Sequence, residues 1–257
     1  MTTERKKYLT ADARRTQLVE LGLSLFGARP YEDVQIDEIA RAAGIAKGLL
    51  YHYFGSKRGL YLEVVRAASA ELVAALEPDP GLSGPDNLRR GMLAYFGFVE
   101  ARADAYVTLM QGGMHSDPDL RALLDDVRAT IIQRITRGIG IATLPPAFRV
   151  AARSWIGAVE AAALDWLEHR DLEASALADV LAAGLFGQLV VASGLAPVKG
   201  AKLDLAAGLR LLGGLMGGHA EGRAASAVTP AASPRRPRPD TTHRSTPRPE
   251  PRARRRT

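Results

Sequence analysis

Apolar residues recur every three or four positions along most of this 257-residue chain, which is the spacing of one face of an α-helix. Polar, glycine or proline segments interrupt the pattern, such as PDPGLSGPD at 78–86 and LPP at 144–146. The pattern predicts an all-α fold. The predicted helices span about 10–27, 56–76, 86–102, 104–114, 118–138, 146–168 and 173–192, with two short helices inside 35–54 and a glycine-rich one near 202–216.

The segment Gln35–Phe54 has the pattern of two short helices that cross closely. Small and branched apolar residues recur at helical spacing from Ile36 to Ala43, so one face of the first helix can pack against a neighbour. Gly44 follows, and glycine accepts the left-handed conformation that a tight turn between helices requires. The pattern therefore predicts a helix-turn-helix, a motif that binds DNA.

The second helix of this motif has an inner and an outer face. With Leu50 in the core, steps of about 100° per residue place Gly48 and His52 on the opposite side and Tyr51 on the flank. Lys47 lies in the first turn, where the helix N-terminus favours a phosphate. Tyrosines at a helix end often belong to a core, and lysines are often merely solvated. Their joint placement nevertheless favours a face that reads DNA.

The sequence IDEIARAAGIAKGLLYHYFGSK, 36–57, resembles the DNA-binding segment of the TetR family of bacterial regulators. The preceding LGLSLFGARPY, 21–31, resembles the family's first helix and the loop that leaves it. The resemblance implies an N-terminal three-helix helix-turn-helix domain, a larger helical ligand-binding and dimerisation domain, and a double-stranded DNA operator as partner. It implies DNA contacts at Gln35, Lys47, Gly48, Tyr51, His52, Tyr53 and Lys57.

Three positions depart from the family's usual pattern. The family usually has Ser or Thr at the position of Gln35, a hydroxyl residue at that of Ala46, and a small or polar residue at that of Leu49. Ala46 cannot accept an N-cap hydrogen bond, which removes about 1 kcal/mol of helix stabilisation. Leu49 can instead contact a thymine methyl group. We include Ala46 and Leu49 in the predicted DNA interface.

The net charge of +6 is unevenly distributed along the chain. Residues 1–60 hold ten Lys and Arg against seven Asp and Glu, and ten arginines lie beyond residue 218. The basic ends and the acidic middle suit a protein whose one end meets nucleic acid. The predicted domains are a basic arm at 1–9, the helix-turn-helix domain at 10–55, a linking helix at 56–77, the ligand-binding and dimerisation domain at 78–217 and a Pro/Arg-rich tail at 218–257.

The two ends have a functional and a passive interpretation. Arginines among prolines favour a disordered tail that binds phosphate nonspecifically, and a passive extension is the alternative. The basic arm at 1–9 either contacts DNA or is solvated. The chain has no cysteine and its N-terminus lacks an apolar signal-peptide core, so we expect a cytoplasmic protein, associated with the nucleoid when bound to DNA.

The helices predicted at 146–168 and 173–192 are apolar more than halfway round. Such helices are buried on two sides, which predicts packing on the same chain and on a second copy, as a homodimer. Residues 180–198 carry no charge and have the length of a membrane span. Gln188, three glycines and Pro197 interrupt that stretch, so we expect no membrane association.

The middle domain offers candidates for a small-molecule site, which the family encloses between these helices. Aromatic residues and methionines at helical spacing are also common core residues, so packing is the alternative for each. The sequence has no nucleophile elbow, phosphate loop or paired-histidine metal motif, and we expect no catalytic residue, metal or cofactor. The candidates are Tyr95, Phe98, Tyr106, Met110, Met114, His115, Trp155 and Glu160.

These features predict a homodimeric, sequence-specific transcriptional repressor whose operator affinity is lowered by a small apolar or amphipathic ligand. The alternative is a ligand-independent architectural protein that relies on its arginine-rich tail for DNA affinity. An enzyme with an appended DNA-binding domain is a third class, without a motif to support it.

Overall fold

The computed structural model describes residues 10–141 and 143–196. Within these ranges the regular structure is helical and contains no strand, which confirms the all-α prediction. The predictions for the arm at 1–9, the short helix near 202–216 and the tail at 218–257 lie outside the described residues. The helices are α1 (Ala11–Ala28), α2 (Ile36–Ala42), α3 (Lys47–Phe54), α4 (Lys57–Ala75), α5 (Gly84–Ala101), α6 (Ala103–Gln111), α7 (Pro118–Gly138), α8 (Pro146–His169) and α9 (Ala174–Leu195).

Side-chain caps fix where several of these helices begin. The Thr10 hydroxyl accepts a hydrogen bond from the Ala13 amide at 3.2 Å and opens α1. The Ser56 hydroxyl accepts from the Gly59 amide at 2.9 Å and opens α4. Each cap satisfies an amide that has no partner within its helix, so the predicted starts of both helices are confirmed.

The end of α6 differs from the prediction. Helix α6 stops at Gln111, three residues before the predicted end at Met114. Gly112 is extended (φ −74°, ψ 169°), and a short 3-10 turn follows at Gly113–Ser116. The apolar spacing continues through this glycine, which is why the pattern alone overextends the helix.

The first of two hydrophobic cores joins α1–α3 to α4. Its fully buried side chains include Val34, Ile39 and Leu50 of the helix-turn-helix segment. The core does not stop at residue 55, because Leu60 of α4 and Leu120 of α7 are equally buried within it. We call this cluster the head core.

The second core lies between α5, α8 and α9 and includes Phe96, Phe148 and Leu185. Two buried indoles connect neighbouring segments: Trp155 Nε1 donates to the Leu181 carbonyl and Trp166 Nε1 to the Leu172 carbonyl, each at 2.7 Å. Because each buried N–H finds an acceptor, neither indole leaves a buried donor unsatisfied, and the two bonds fix α8 against α9 and against the segment that precedes α9.

Candidate nucleic-acid interface and ligand cavity

The turn between α2 and α3 has the geometry that Gly44 predicts. Gly44 has φ +64°, and its amide donates to the Arg41 carbonyl at 3.1 Å. The Ile45 amide donates to the Ala40 carbonyl at 3.0 Å. This pair of bonds is the Schellman arrangement, in which a left-handed residue closes a helix. The predicted helix-turn-helix is therefore present, with Gly44 in the role expected of it.

Helix α3 presents a buried and an exposed face. Leu50 is 0% exposed in the head core, whereas its neighbours Leu49 and Tyr51 are 38% and 41% exposed. Gly48 and His52 are exposed as well. Ala46 makes no side-chain cap, so the first-turn amides of α3 have no side-chain acceptor at that position. An exposed helix N-terminus of this kind can receive a phosphate oxygen.

The two predicted phosphate-binding lysines have partners within the chain. Lys47 Nζ lies 2.9 Å from Asp37 Oδ1, and this bond raises the pKa of Lys47. Lys57 Nζ lies 4.3 Å from the centroid of the Tyr31 ring and donates to the Glu32 carbonyl at 3.3 Å. Partial burial lowers the pKa of Lys57. To contact a phosphate, each lysine must therefore exchange its partner within the chain for a phosphate oxygen.

Most of the predicted DNA-contacting residues share one exposed surface, formed by the start of α2, the turn and α3. Tyr53 and Lys57 are half-buried at its edge, where the Tyr53 ring packs between His52 and Phe54 with centroids 5.8 and 6.2 Å away. We call the exposed set the DNA-facing surface. It consists of Gln35, Ala46, Lys47, Gly48, Leu49, Tyr51 and His52.

A salt bridge that the sequence did not reveal connects the start of α4 to the start of α7. Arg58 Nε donates to Asp117 Oδ2 at 2.7 Å, and its terminal nitrogen reaches Asp117 Oδ1 at 2.9 Å and Asp119 Oδ2 at 2.5 Å. The guanidinium lowers the pKa of Asp117 to about 2. Asp117 also caps α7 through the Leu120 amide at 3.1 Å. We call this bidentate contact the Arg58 clamp.

A cavity of about 660 Å³ lies between α1 and α4 on one side and the helices of the larger domain on the other, and its wall is mainly apolar. The wall includes residues of both cores, among them Phe26 and Tyr61 of the head core and Leu185 of the second. Volume and lining suit a drug-sized organic molecule. Six predicted ligand residues line it: Tyr95, Phe98, Tyr106, Met110, Trp155 and Glu160.

Met114 and His115 are the two predicted ligand residues that the structure does not bring to this cavity. Both lie in the 3-10 turn that follows α6, and Met114 packs against the head core. The early end of α6 at Gly112 turns the chain away, so helical spacing no longer applies to them.

One part of the cavity wall is polar. The hydroxyl groups of Tyr95 and Tyr106 lie 2.7 Å apart. Arg128, which the sequence did not single out, makes a bidentate pair with Glu160 through bonds of 2.8 and 3.1 Å. Burial raises the pKa of Tyr95 well above its ordinary value and that of Tyr106 to about 12, so both stay protonated. We call Tyr95, Tyr106, Arg128 and Glu160 the inner polar cluster.

The outer faces of α8 and α9 expose apolar residues. Val150 of α8 and Val180, Val191 and Leu195 of α9 are each more than half exposed. On α9 the exposed glycines Gly184 and Gly187 lie between these residues at helical spacing and complete a stripe. Helix α9 is also long and apolar enough to cross a membrane, with a mean hydropathy of 1.7 over its most apolar 18 residues. Because its inner face packs on α5 and α8, length and composition are weak evidence for a membrane span here.

No group of three or more His, Cys, Asp or Glu side chains in the described ranges is placed to hold a metal ion.

A helix-turn-helix with an exposed second helix, joined to a helical domain with an apolar cavity, defines a DNA-binding protein with room for a small molecule. Two family models match the chain. Residues 18–64 match the model described as bacterial regulatory proteins, tetR family, and residues 85–187 match the tetracyclin repressor-like C-terminal domain. The chain belongs to the TetR family of bacterial regulatory proteins.

Curated relatives and solved structures agree with this assignment. The transcriptional activator FasR of Mycolicibacterium smegmatis is 31% identical over 116 residues, which cover 44% of this chain and 53% of FasR. The mycofactocin biosynthesis regulator MftR of Mycobacterium tuberculosis is 28% identical over 65% of this chain and 88% of its own length. A tetR-family regulator from Streptomyces coelicolor superposes with a TM-score of 0.70 at 29% identity, over 86% of this chain and all of its own. The match thus spans about half the length of FasR and most of MftR.

Proposed function

We propose that this protein is a homodimeric, sequence-specific transcriptional repressor whose operator affinity is lowered by a small apolar or amphipathic ligand. The exposed DNA-facing surface on α3, set against a buried Leu50, is the observation that carries the proposal. The larger domain with its cavity would serve regulation rather than catalysis, so we propose no enzymatic activity. The protein would act in the cytoplasm, on the nucleoid when bound.

In this proposal α3 enters the major groove and its side chains divide the work. Tyr51 and His52 contact base edges, whereas Lys47 and Lys57 contact phosphates and set the position of the helix. The surface at Gly48 is open in the free protein, since a Cβ there would meet nothing within 4 Å, and the missing side chain would let DNA approach the backbone closely. The arm at 1–9 and the tail at 218–257 would add phosphate contacts of low specificity.

The exposed apolar stripe of α8 and α9 supports a dimer. A large apolar face on a protein surface favours association, and a second copy related by two-fold symmetry would cover the same face on both subunits. Two copies would then present two α3 helices to successive major grooves, about 34–36 Å apart.

Ligand control would operate through the shared wall of the cavity. Phe26 and Tyr61 belong to the head core and also line the cavity. The Arg58 clamp ties α4 to the start of α7, and later turns of α7, from Leu124 onward, form another part of the wall. In a dimer, one conformation has the two DNA-binding domains at the spacing that fits the operator, and another does not. A ligand that binds the second conformation more tightly lowers operator affinity by that difference in binding.

The experiment that tests sequence-specific binding is a binding-site selection with the full chain, followed by competition against random DNA. We expect an enriched, two-fold symmetric site bound at least about a thousandfold more tightly than random DNA. Equal affinity for selected and random DNA would contradict the proposal. A reporter gene placed under the selected site then distinguishes repression from the activation for which FasR is named.

Removal of the tail separates this proposal from the ligand-independent alternative. A chain ending at Gly218 loses ten arginines, so the slope of log affinity against log salt should fall by about 0.9 for each lost phosphate contact. In our proposal, selectivity for the site survives this truncation. Loss of nearly all DNA binding would favour the architectural alternative, and an unchanged slope would mean that the tail is passive.

A further inference from the structure

The arginines and Glu160 that line the cavity already have charged partners, and the remaining charged residue of the lining, Asp79, is exposed to solvent. Of the three arginines, Arg102 lies 2.5 Å from Glu71, Arg134 pairs with Glu77, and Arg128 makes the bidentate pair with Glu160. Arg128 also contacts Asp125 at 3.0 Å, and Arg153 lies 3.8 Å from the same carboxylate. The cavity wall therefore offers an incoming anion no cation without a carboxylate partner.

Because the wall is mainly apolar, the pairing of its arginines determines whether an anionic ligand can bind. A ligand carboxylate or phosphate that enters loses its hydration, and it recovers the loss only if a counter-charge or several hydrogen-bond donors replace the water. Here it would have to break a bidentate arginine pair and leave Glu160 without its partner.

The tyrosine pair offers what a neutral ligand needs. Each of the two hydroxyl groups carries one proton, and one of these two protons makes the 2.7 Å hydrogen bond between them. The second proton has no acceptor among the described residues, and burial keeps both groups protonated because it raises the pKa of each. One donor and the remaining oxygen lone pairs thus lie at the wall of an apolar cavity, which matches a ligand hydroxyl or carbonyl oxygen.

If the protein binds a small ligand as in the proposed function, on which this inference rests, we propose that the part of the ligand inside the cavity is uncharged and mainly apolar. One hydroxyl or carbonyl oxygen of the ligand is held by the Tyr95–Tyr106 pair. The cavity of about 660 Å³ leaves room for an apolar body beside Met110 and Trp155. The paired arginines then act as selectivity elements: they shape the wall and exclude anions.

The test compares three probes that share one apolar body: decan-1-ol, decanoate and decylammonium. Calorimetric titration of the full-length protein at neutral pH should show decan-1-ol binding at least about tenfold more tightly than either ion, because only the ions lose uncompensated hydration. Tighter or equal binding of decanoate or decylammonium overturns the proposal, and so does the absence of binding by all three. This comparison needs no variant.

Variants then assign the anchor. Tyr95→Phe and Tyr106→Phe should each weaken decan-1-ol binding by about fivefold or more, the value of one buried hydrogen bond. Tyr31→Phe is the matched control, because it removes a hydroxyl from a half-buried tyrosine of the head core that does not line the cavity, and binding should stay within about twofold. Unchanged binding by both pair variants, or equal loss in the control, overturns the assignment.

Measuring release from the operator tests the ligand class and the proposed control of DNA binding by ligand separately. If decanoate binds best and displaces the protein from its selected site, the ligand-released repressor stands and the uncharged ligand does not. If decan-1-ol binds as expected but leaves operator affinity unchanged, the ligand class stands and the proposed control by ligand does not.

Discussion

The adjacent leucines of α3 allow the structural and the DNA-reading roles of that helix to be separated. Leu50 is 0% exposed in the head core, and Leu49 is 38% exposed on the DNA-facing surface. Leu50→Ala removes buried methyl groups and leaves a cavity, which should lower the free energy of unfolding by about 2–5 kcal/mol. Leu49→Ala removes the same atoms from a solvated position, so we expect a change within about 0.5 kcal/mol.

The effect of the two substitutions on DNA should be the reverse. If Leu49 contacts a thymine methyl, its truncation should weaken binding to the selected site by about 1–2 kcal/mol, the value of one or two methylene groups removed from water. The loss should disappear when that thymine is replaced. Leu50→Ala, measured at a temperature where it is folded, should keep the base preference of the wild type.

Urea denaturation followed by circular dichroism measures the stability of each variant, and titration of labelled operator measures affinity. Comparable destabilisation by both substitutions would refute the assigned orientation of α3. A Leu49→Ala variant with unchanged affinity on every site would refute only the thymine contact.

Three further predictions concern the DNA-facing surface and the dimer. Tyr51→Ala or His52→Ala should reduce selectivity as well as affinity, by about 1–3 kcal/mol where the residue reads a base edge; equal loss on operator and random DNA would contradict that role. Lys57→Ala should weaken binding to all sequences alike and lower the salt slope by about one, because a phosphate contact carries no base information; a loss confined to particular sequences in a binding-site selection would argue against it. Ala183→Glu should dissociate the dimer, because an unpaired carboxylate in a packed interface costs several kcal/mol. Ser175→Glu, at an exposed position in the first turn of the same helix, is the control; sedimentation showing a monomeric wild type, or an intact dimer after charges at several stripe positions, would refute the interface.

Local signals account for what the sequence predicted well. The Gly44 turn, the starts of α1 and α4 and the burial of Leu50 each depend on residues a few positions apart, so propensity and periodicity suffice to find them. The family resemblance in 21–57 added the expectation of a DNA-binding surface and a helical domain behind it.

Contacts between distant segments account for what the sequence missed. Arg58 and Asp117 are 59 positions apart and Arg128 and Glu160 are 32 apart, and nothing in the spacing of either pair marks them as partners. Helical periodicity also placed Met114 on the ligand side, although the extended backbone at Gly112 redirects the chain. Cavity residues are harder to recognise than a turn, because packing and ligand binding select the same apolar side chains.

Hydroxyl-radical footprinting of the full-length protein on its selected site tests the central claim most directly. We expect two protected half-sites, related by two-fold symmetry and centred about 10–10.5 base pairs apart or a multiple of that spacing, since two α3 helices must enter major grooves on one side of the duplex. At the lowest protein concentration that gives full protection with the wild type, Tyr51→Ala should show clearly weaker protection of the same DNA. A single unpaired half-site, or uniform protection without a preferred position, would contradict a dimer that reads DNA through α3.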